Sequence, residues 1–480
     1  MHRLVLRAGA PLAAGVALAT AVALALASAA PETGPRPAAT EPAALADGDV
    51  IANLWSWNWR SVAAECTDVL GPAGYGAVWV APPAESLAHP DGYWWDIYQT
   101  YSYTLNGRFG TEADFAAMTR ACADAGVDVY TDAVINHTAA VTGTGYAGTQ
   151  VGDKYAPPMY TRADYNVDVC DRTISNWNDR WEVQNCELLG LPDLKTGSPE
   201  VRAEIAGYLN AQIALGVSGF RVDAAKHIPA EDLAAIVGLL DPTADGSDPF
   251  VFHEVFPGAV PTPDEYFGSG RVLDFAVGDQ LKAAFQGDIA RLADFGTGGG
   301  TLPAGNSVSF VTNHDTERDG RHLTYRDGDT AVLANVFQLG WDGAPPTVYA
   351  GFEFQGRDDS PPADADGLVT DTDCAAGWYC LDRDPRITGM VGWRNAVGDA
   401  DVHDFQSPQA NVIGFSRGDV GFLAVNNTTN EVTTGFTTSL PDGDYCNALD
   451  DCATTVTVSG GEATLTLPAR SAVALHMSAN

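Results

Sequence analysis

Lysine is nearly absent. Only Lys154, Lys195, Lys226 and Lys282 occur in 480 residues, and 26 Lys and Arg together face 62 Asp and Glu, a formal charge of −36. A chain so poor in cations repels nucleic acid and anionic membrane surfaces. Its expected partner is therefore neutral or cationic, and a neutral sugar polymer fits. Cys-x-x-Cys spacing is also missing, which removes zinc-ribbon and thioredoxin-like readings of the cysteines. After residue 29 no apolar run is long enough to span a bilayer. With 45% hydrophobic residues, the chain can build a large core, so neither disorder nor a fibrous repeat is expected.

The chain opens with Met-His-Arg-Leu-Val-Leu-Arg, continues as an Ala-rich apolar run to Leu26 and closes on Ala27-Ser28-Ala29. That order is a secretory signal, so residues 1–29 are expected to be cleaved and the protein secreted to the extracellular side, free of the membrane. An uncleaved anchor is the competing reading, but small residues stand where an anchor would carry charge. Residues 30–48, rich in Pro, Ala and Thr, read as a linker or pro-segment. Export makes disulfides the default for eight cysteines. The spacings of Cys374 to Cys380 and Cys446 to Cys452 suggest two short loops, whereas Cys66, Cys122, Cys170 and Cys186 look longer-range, with pairing open.

From Asp49 onward, short β-branched runs alternate with longer helical patterns, which is the signature of βα units on a parallel sheet. The expected strands are 50–55, 77–80, 127–134, 219–222, 250–254, 272–275, 308–311 and 347–350. Helices are expected over 62–70, 112–125, 199–215, 231–240, 280–295, 331–339 and 387–395. Eight such strands predict an α/β fold, a (β/α)8 TIM barrel over 49–396. The irregular stretch of about 138–194 reads as a subdomain inserted after the third strand. Period-two alternation over 397–480 predicts a C-terminal antiparallel β-sandwich domain.

Polar residues gather at four of the expected strand ends. Asp132, Asn136 and His137 follow the third strand, Arg221 and Asp223 mark the fourth, Glu254 the fifth, and Asn313, His314 and Asp315 the seventh. Taken singly, each Asp is more simply a cap or turn residue and each His a hydrogen-bonded structural group. Side chains from different strand ends converge at one face of a barrel, however, and converging carboxylates are what glycoside cleavage requires. Arg221 shares a strand side with Asp223 and would keep it ionised, as suits a nucleophile. Glu254 lies in the apolar run Phe-Val-Phe-His-Glu-Val-Phe, where desolvation would raise its pKa, as suits an acid.

Asp-Ala-Val-Ile-Asn-His at 132–137, Gly-Phe-Arg-Val-Asp-Ala-Ala-Lys-His at 219–227, His-Glu-Val at 253–255 and Phe-Val-Thr-Asn-His-Asp at 310–315 together resemble the four signature regions of the α-amylase family of glycoside hydrolases. The resemblance runs from about Val50 to the C-terminus, is closest to actinobacterial and animal members, and includes Ile-Ala-Asn-Leu-Trp-Ser-Trp-Asn-Trp and Tyr-Trp-Trp-Asp-Ile-Tyr-Gln. It implies an endo-acting, retaining hydrolase of internal α-1,4 bonds in starch and glycogen. Asp223 would be the nucleophile, Glu254 the acid/base and Asp315 the transition-state stabiliser. Asp132, Arg221, His137 and His314 would support them. Trp95, Tyr98, Gln99, Lys226 and His227 match substrate-contacting positions.

The same resemblance implies a structural calcium held by side chains of Asn136 and Asp193 and backbone carbonyls of Gln184 and His227. Many relatives carry Arg in place of Gln184, a change that a backbone ligand tolerates. Chloride-binding relatives use two arginines and an asparagine. Arg221 and Asn313 match, but the second arginine falls near Thr347, so chloride is expected not to be required. The implied disulfides are Cys66–Cys122, Cys170–Cys186, Cys374–Cys380 and Cys446–Cys452, and a monomer is expected. Two other outcomes are kept open: a transglycosylase or maltooligosaccharide-specific enzyme on the same scaffold, and a non-catalytic glucan-binding protein.

Overall fold

The computed structural model describes residues 48–477. The expected signal, all of the linker but its last residue, and the final three residues lie outside it. The first strand, β1, is Ile51–Leu54, followed by β2 (Ala77–Val80), β3 (Asp128–Ala133), β4 (Gly219–Val222), β5 (Phe250–His253), β6 (Arg271–Asp274), β7 (Ser307–Phe310) and β8 (Pro346–Phe352). Each pairs in parallel with the next, and β8 returns to β1 with Thr347 opposite Ile51, so the barrel closes. Helices α1 (Trp59–Glu65), α2 (Glu112–Asp124), α3 (Pro199–Ala214), α4 (Ala230–Val237), α5 (Phe275–Phe285), α6 (Asp329–Gly340) and α7 (Pro385–Val397) lie between or after these strands.

Alternation along the strands sorts the core into two layers. Ile51, Ala77, Trp79, Tyr130, Phe250, Phe252, Leu273, Val308 and Phe310 fill the barrel interior, whereas their neighbours Val78, Val80, Val129, Phe220, Val222 and Val251 pack under the helices. The interior plug is unusually aromatic. Tyr130 stacks on Phe250 at 5.1 Å, and Trp79 meets Phe252 edge-on at 5.4 Å. Burying each such ring contributes about 1.5–3 kcal/mol.

Local chemistry explains where several helices begin and end. Thr111 and Asp114 form a reciprocal capping box that starts α2. The helix expected over 280–295 instead starts at Phe275, because the Asp274 side chain accepts from Ala276 N and caps it there. It stops at Phe285 and resumes as a short 3-10 turn at Ile289–Asp294. The expected 62–70 helix begins earlier, at Trp59, with Asn58 as its cap, and ends in a π-turn over Cys66–Leu70.

The segment between β3 and α3 contains a two-strand ribbon (Gly143–Thr144 with Gln150–Val151) and a one-turn helix at Arg180–Val183. Its Cys170–Cys186 bridge is accompanied by bridges 66–122, 374–380 and 446–452, so all eight cysteines are paired. Beyond α7 lie two four-stranded antiparallel sheets. The first contains β9 (Val402–Gln409), β10 (Val412–Arg417) and β11 (Gly421–Asn426), followed in sequence by β12 (Val432–Thr437), β13 (Gly443–Cys446), β14 (Thr455–Ser459) and β15 (Glu462–Leu467) of the second; β16 (Ser471–His476) completes the first. The buried-exposed alternation of β15 fits a sandwich with one wet face. In contrast, β10 and β11 are buried throughout. Val412 and Phe422 face the sandwich core, while Ile413, Phe415 and Leu423 join the barrel's outer core. Trp393 Nε1 donates to the Leu475 carbonyl at 2.8 Å across that junction. Among the described residues, no helix is long and apolar enough to cross a membrane.

Candidate active site

The barrel ladder continues one residue past β4 and β5, fixing the backbone of both key acids. Asp223 N donates to the Ala133 carbonyl and Glu254 N to the Val222 carbonyl, each at 3.0 Å. Gly219 makes the close strand approach possible, since a Cβ there would sit 2.4 Å from the Phe250 carbonyl oxygen and 2.6 Å from the Tyr130 ring. Two residues on, Arg221 rests on the interior plug with its guanidinium carbon 5.7 Å from the centre of a Trp79 ring.

Arg221 is fully buried and organises the carboxylates. Nη1 donates to Asp132 Oδ1 at 2.7 Å and to Asp223 Oδ1 at 2.8 Å, while Nη2 lies 2.8 Å from Glu254 Oε1. The other Glu254 oxygen accepts from Ala224 N at 2.9 Å. Ala224 adopts a left-handed conformation, φ 49°. That is a costly geometry for a residue with a Cβ, and here it aims an N–H into the cluster. Asp315 follows β7 in a turn tied by Asn313, whose Oδ1 accepts from Asp315 N at 3.1 Å and Thr316 N at 2.9 Å. The Asp315 side chain is the most open of the three, at 36% exposure against 12% for Asp223 and 11% for Glu254.

Burial dominates the electrostatics. It raises the pKa of Asp223, Glu254 and Asp315, with Arg221 opposing in each case. Asp132 is pushed up to about 7 by the same burial, again against Arg221. Arg221 favours the ionised form of Asp223, but its one guanidinium is divided among three carboxylates, and burial opposes it at each. Glu254 is also not simply in an apolar pocket, because it pairs with that same guanidinium. Protons are shared across such a cluster rather than owned by single residues.

Aromatic and imidazole groups form the rim. Tyr98 donates from its hydroxyl to Asp132 Oδ2 at 3.0 Å and meets His314 Nε2 at 2.9 Å. His137 Nε2 contacts the Tyr98 carbonyl at 3.2 Å. Burial lowers His137 and His227 to about 4 and holds His314 well below its ordinary value, which favours the neutral imidazole in all three. The side chains of the other expected rim residues are engaged by other partners. Trp95 stacks on Tyr93 at 5.0 Å. Gln99 Oε1 is occupied by Ala140 N at 2.8 Å. Lys226 is buried rather than solvated and donates to the Phe256 carbonyl at 3.0 Å. A cavity of about 570 Å³ lined by Asn58, Arg60, Tyr146 and Asp371 lies elsewhere and includes none of the catalytic candidates.

The residues expected to hold calcium are drawn from the inserted segment and the barrel. Leu194 N donates to the Asn136 carbonyl at 3.0 Å, and His137 bridges Asp193, which places Asp193 beside Asn136. His227 Nδ1 contacts the Val183 carbonyl at 2.8 Å, which brings His227 against the turn containing Gln184. Asp193 is buried, and among the described residues its Oδ2 accepts from the neutral Asn166 amide, at 2.8 Å. Burial raises its pKa well above the usual range, and no cationic side chain pairs with it among the described residues. A buried carboxylate beside a buried amide, with backbone carbonyls nearby, is a donor set that fits a hard cation. No group of three or more His, Cys, Asp or Glu side chains suited to a metal occurs among the described residues.

Three contributions escaped the sequence reading: the Ala224 N–H, the pairing of Glu254 with Arg221, and Trp55, whose ring stacks on His314 at 4.8 Å. Only Trp55 carried a signal, its place in an aromatic-rich first segment.

Carboxylates from three strand ends, joined through one buried guanidinium at the mouth of a closed parallel barrel, define a glycoside-hydrolase type of site. The sequence matches the family description "Alpha amylase, catalytic domain" over residues 67–241 and "Alpha amylase, C-terminal all-beta domain" over 403–478. It is 44% identical over 452 residues to an alpha-amylase of Streptomyces violaceus, covering 93% of this chain and 77% of that protein. It is 38% identical over 435 residues to one of Tenebrio molitor, covering 86% and 90%. The structure superposes on wild-type alpha-amylase I of Eisenia fetida with a TM-score of 0.86 at 30% identity, covering 91% of this chain and 99% of that one. A glutamine variant of that enzyme, solved as a maltohexaose complex, matches equally well. The chain belongs to the α-amylase family.

Proposed function

We propose that this protein is a secreted, endo-acting α-amylase that hydrolyses internal α-1,4 bonds of starch and related neutral α-glucans with retention, acting as a monomer. The observation that carries the reading is the Arg221 fork that joins Asp223 and Glu254. Retaining enzymes keep their two carboxyl groups about 5–5.5 Å apart and inverting enzymes about 6.5–9.5 Å apart. Arg221 holds Asp223 and Glu254 at one point of the barrel mouth, and we read them as a pair of the first class.

In this mechanism Glu254 gives its proton to the glycosidic oxygen as Asp223 attacks the anomeric carbon, and the C1–O bond breaks. Glu254 then takes a proton from water, which displaces Asp223 and regenerates both groups. Asp315, the most open carboxylate, stabilises the oxocarbenium-like state and engages sugar hydroxyls. Tyr98 offers an aromatic face to a ring at the cleavage point, with Trp95 and Gln99 on the rim, while Lys226 and His227 shape the leaving-group side.

Starch digestion followed by product sizing tests the reading. Rapid loss of average chain length with a mixed oligosaccharide ladder is expected. A single product size or longer transfer products would favour the transglycosylase or maltooligosaccharide-specific alternative, and absence of hydrolysis would favour a binding protein.

We also propose that Asn136, Asp193 and the carbonyls of Gln184 and His227 hold calcium. Bound there, the ion would supply a cross-link between the inserted segment and the barrel. Chloride is a different matter, since Thr347, buried on β8, contributes no charge where chloride-dependent relatives have a second arginine. Dialysed enzyme is expected to keep its activity within about twofold on adding chloride, and strong activation would refute this.

A further inference from the structure

Behind Asp315 sits a second buried cation that the mechanism above does not use. Arg318 lies on the one-turn helix Thr316–Asp319, and its side chain is 1% exposed. Nη1 donates to the His314 carbonyl at 2.9 Å and to Glu317 Oε1 at 2.6 Å. The same Glu317 oxygen accepts from the Tyr349 hydroxyl at 2.8 Å. The guanidinium carbon stands 4.8 Å from Trp55, 5.2 Å from Trp94, 4.9 Å from Phe352 and 4.3 Å from Phe354, measured to ring centres. Nε and Nη2 have no hydrogen-bond partner among the described residues. Taking a guanidinium out of water is costly, and aromatic faces with one acidic partner offset that only in a tightly fixed arrangement.

What this cage touches is the active-site rim. The Trp55 ring under Arg318 also stacks on His314, within 9° of parallel. His314 stacks in turn on Tyr98 at 5.5 Å, and its Nε2 lies 3.4 Å from Asp315 Oδ2. Arg318 thus grips the backbone of the residue before Asp315 and the ring that backs its imidazole neighbour.

We propose that Arg318, with Glu317 as its counter-charge, is a positioning residue for Asp315 and His314, fixing their turn and setting the charge they experience. This rests on the reading of Asp315 as the transition-state stabiliser.

The field has a definite sign. Arg318 favours ionised Asp315 and neutral His314. Arg221 below and Arg357 outside act on Asp315 in the same sense, and Asp319 acts against them; Asp223 and Glu254 face it across the cleft. Burial pushes Glu317 up to about 7, opposed by Arg318, the Tyr349 hydroxyl and Arg326. Removing the cation should make the cluster harder to ionise, so the acidic limb of kcat/KM should move to higher pH. Glu317, pushed up to about 7, is already largely protonated on the acidic limb, so neutralising it while keeping its hydrogen bonds should leave that limb in place.

The test compares pH profiles, kcat and KM on soluble starch for the wild type, Glu317→Gln, the double variant Arg318→Met with Glu317→Gln, and Arg318→Lys. The double variant leaves no unpaired buried charge, and methionine suits the aromatic contacts. Glu317→Gln is expected to keep the acidic limb within about 0.2 pH unit of wild type and the double variant to shift it up by about half a unit. In the double variant kcat should fall about tenfold or more with KM changed less than about threefold, and Arg318→Lys should keep the wild-type limb with an intermediate kcat. An unmoved limb in the double variant, or a double variant with kcat within about twofold of wild type, overturns the proposal. Should the double variant not fold, Arg318→Lys decides: a kcat within about twofold of wild type overturns the proposal, and a larger fall with KM little changed supports it. Asp315→Asn measured in parallel separates the two readings. Near-normal activity there removes Asp315 from the mechanism, whereas lost activity there with an unmoved limb in the double variant removes only Arg318.

Discussion

Replacing Asp223 by Asn is expected to lower kcat on starch by at least about 10³-fold while leaving the fold in place. The amide keeps the volume of the carboxylate but cannot form the glycosyl ester, so the covalent route closes. The structural cost should be small because Arg221 retains Asp132 at 2.7 Å and Glu254 at 2.8 Å as partners. No buried cation is left without a counter-charge, which is the situation that makes such substitutions destabilising. Circular dichroism and a melting curve beside the rate measurement check this. Near-normal turnover would overturn the nucleophile assignment.

Calcium removal is the second large effect. With a chelator, the melting temperature is expected to fall by roughly 5 °C or more, and added calcium should restore it. The physical reason lies at Asp193, a buried carboxylate whose hydrogen-bond donor is the neutral Asn166 amide. Stripped of a bound cation, it must either take up a proton or stand charged in a desolvated site. The same residue sits where the inserted segment meets the barrel, so loosening it should expose Asn136 and the neighbouring turn first. A melting curve indifferent to chelation would reject the site.

The barrel was legible because its strands carry two signals at once. Alternating interior residues such as Phe250 and Phe252 mark the strand, and a polar residue directly after it marks the mouth, as with Glu254 after β5. Strand ends bring distant sequence together by topology, so Asp132, Arg221, Glu254 and Asp315 could be grouped before any coordinates. Helix ends were less legible because they depend on caps: Asp274 terminates β6 and starts α5 in one step, shifting that helix five residues from its expected start. Full burial of β10 and β11 was also hidden, since a strand covered on both faces reads differently only when the second covering surface, here α6 and α7, is known. The Arg318 cage is the clearest case of what sequence withholds. Its walls come from Trp55, Trp94, Phe352 and Phe354, on segments far apart in the chain, and nothing in Thr-Glu-Arg-Asp distinguishes a caged guanidinium from a solvated one. Likewise, Arg221 pointed to Asp223 by its two-residue spacing, but its simultaneous hold on Glu254 required the β4–β5 register.

The account stands or falls on a covalent, retaining cleavage of internal α-glucosidic bonds. Proton NMR during the first minutes of digestion of a long maltooligosaccharide, before mutarotation, reads the configuration of the newly released ends directly. The α anomer should appear first, with products from internal positions; first-formed β anomer would contradict the mechanism.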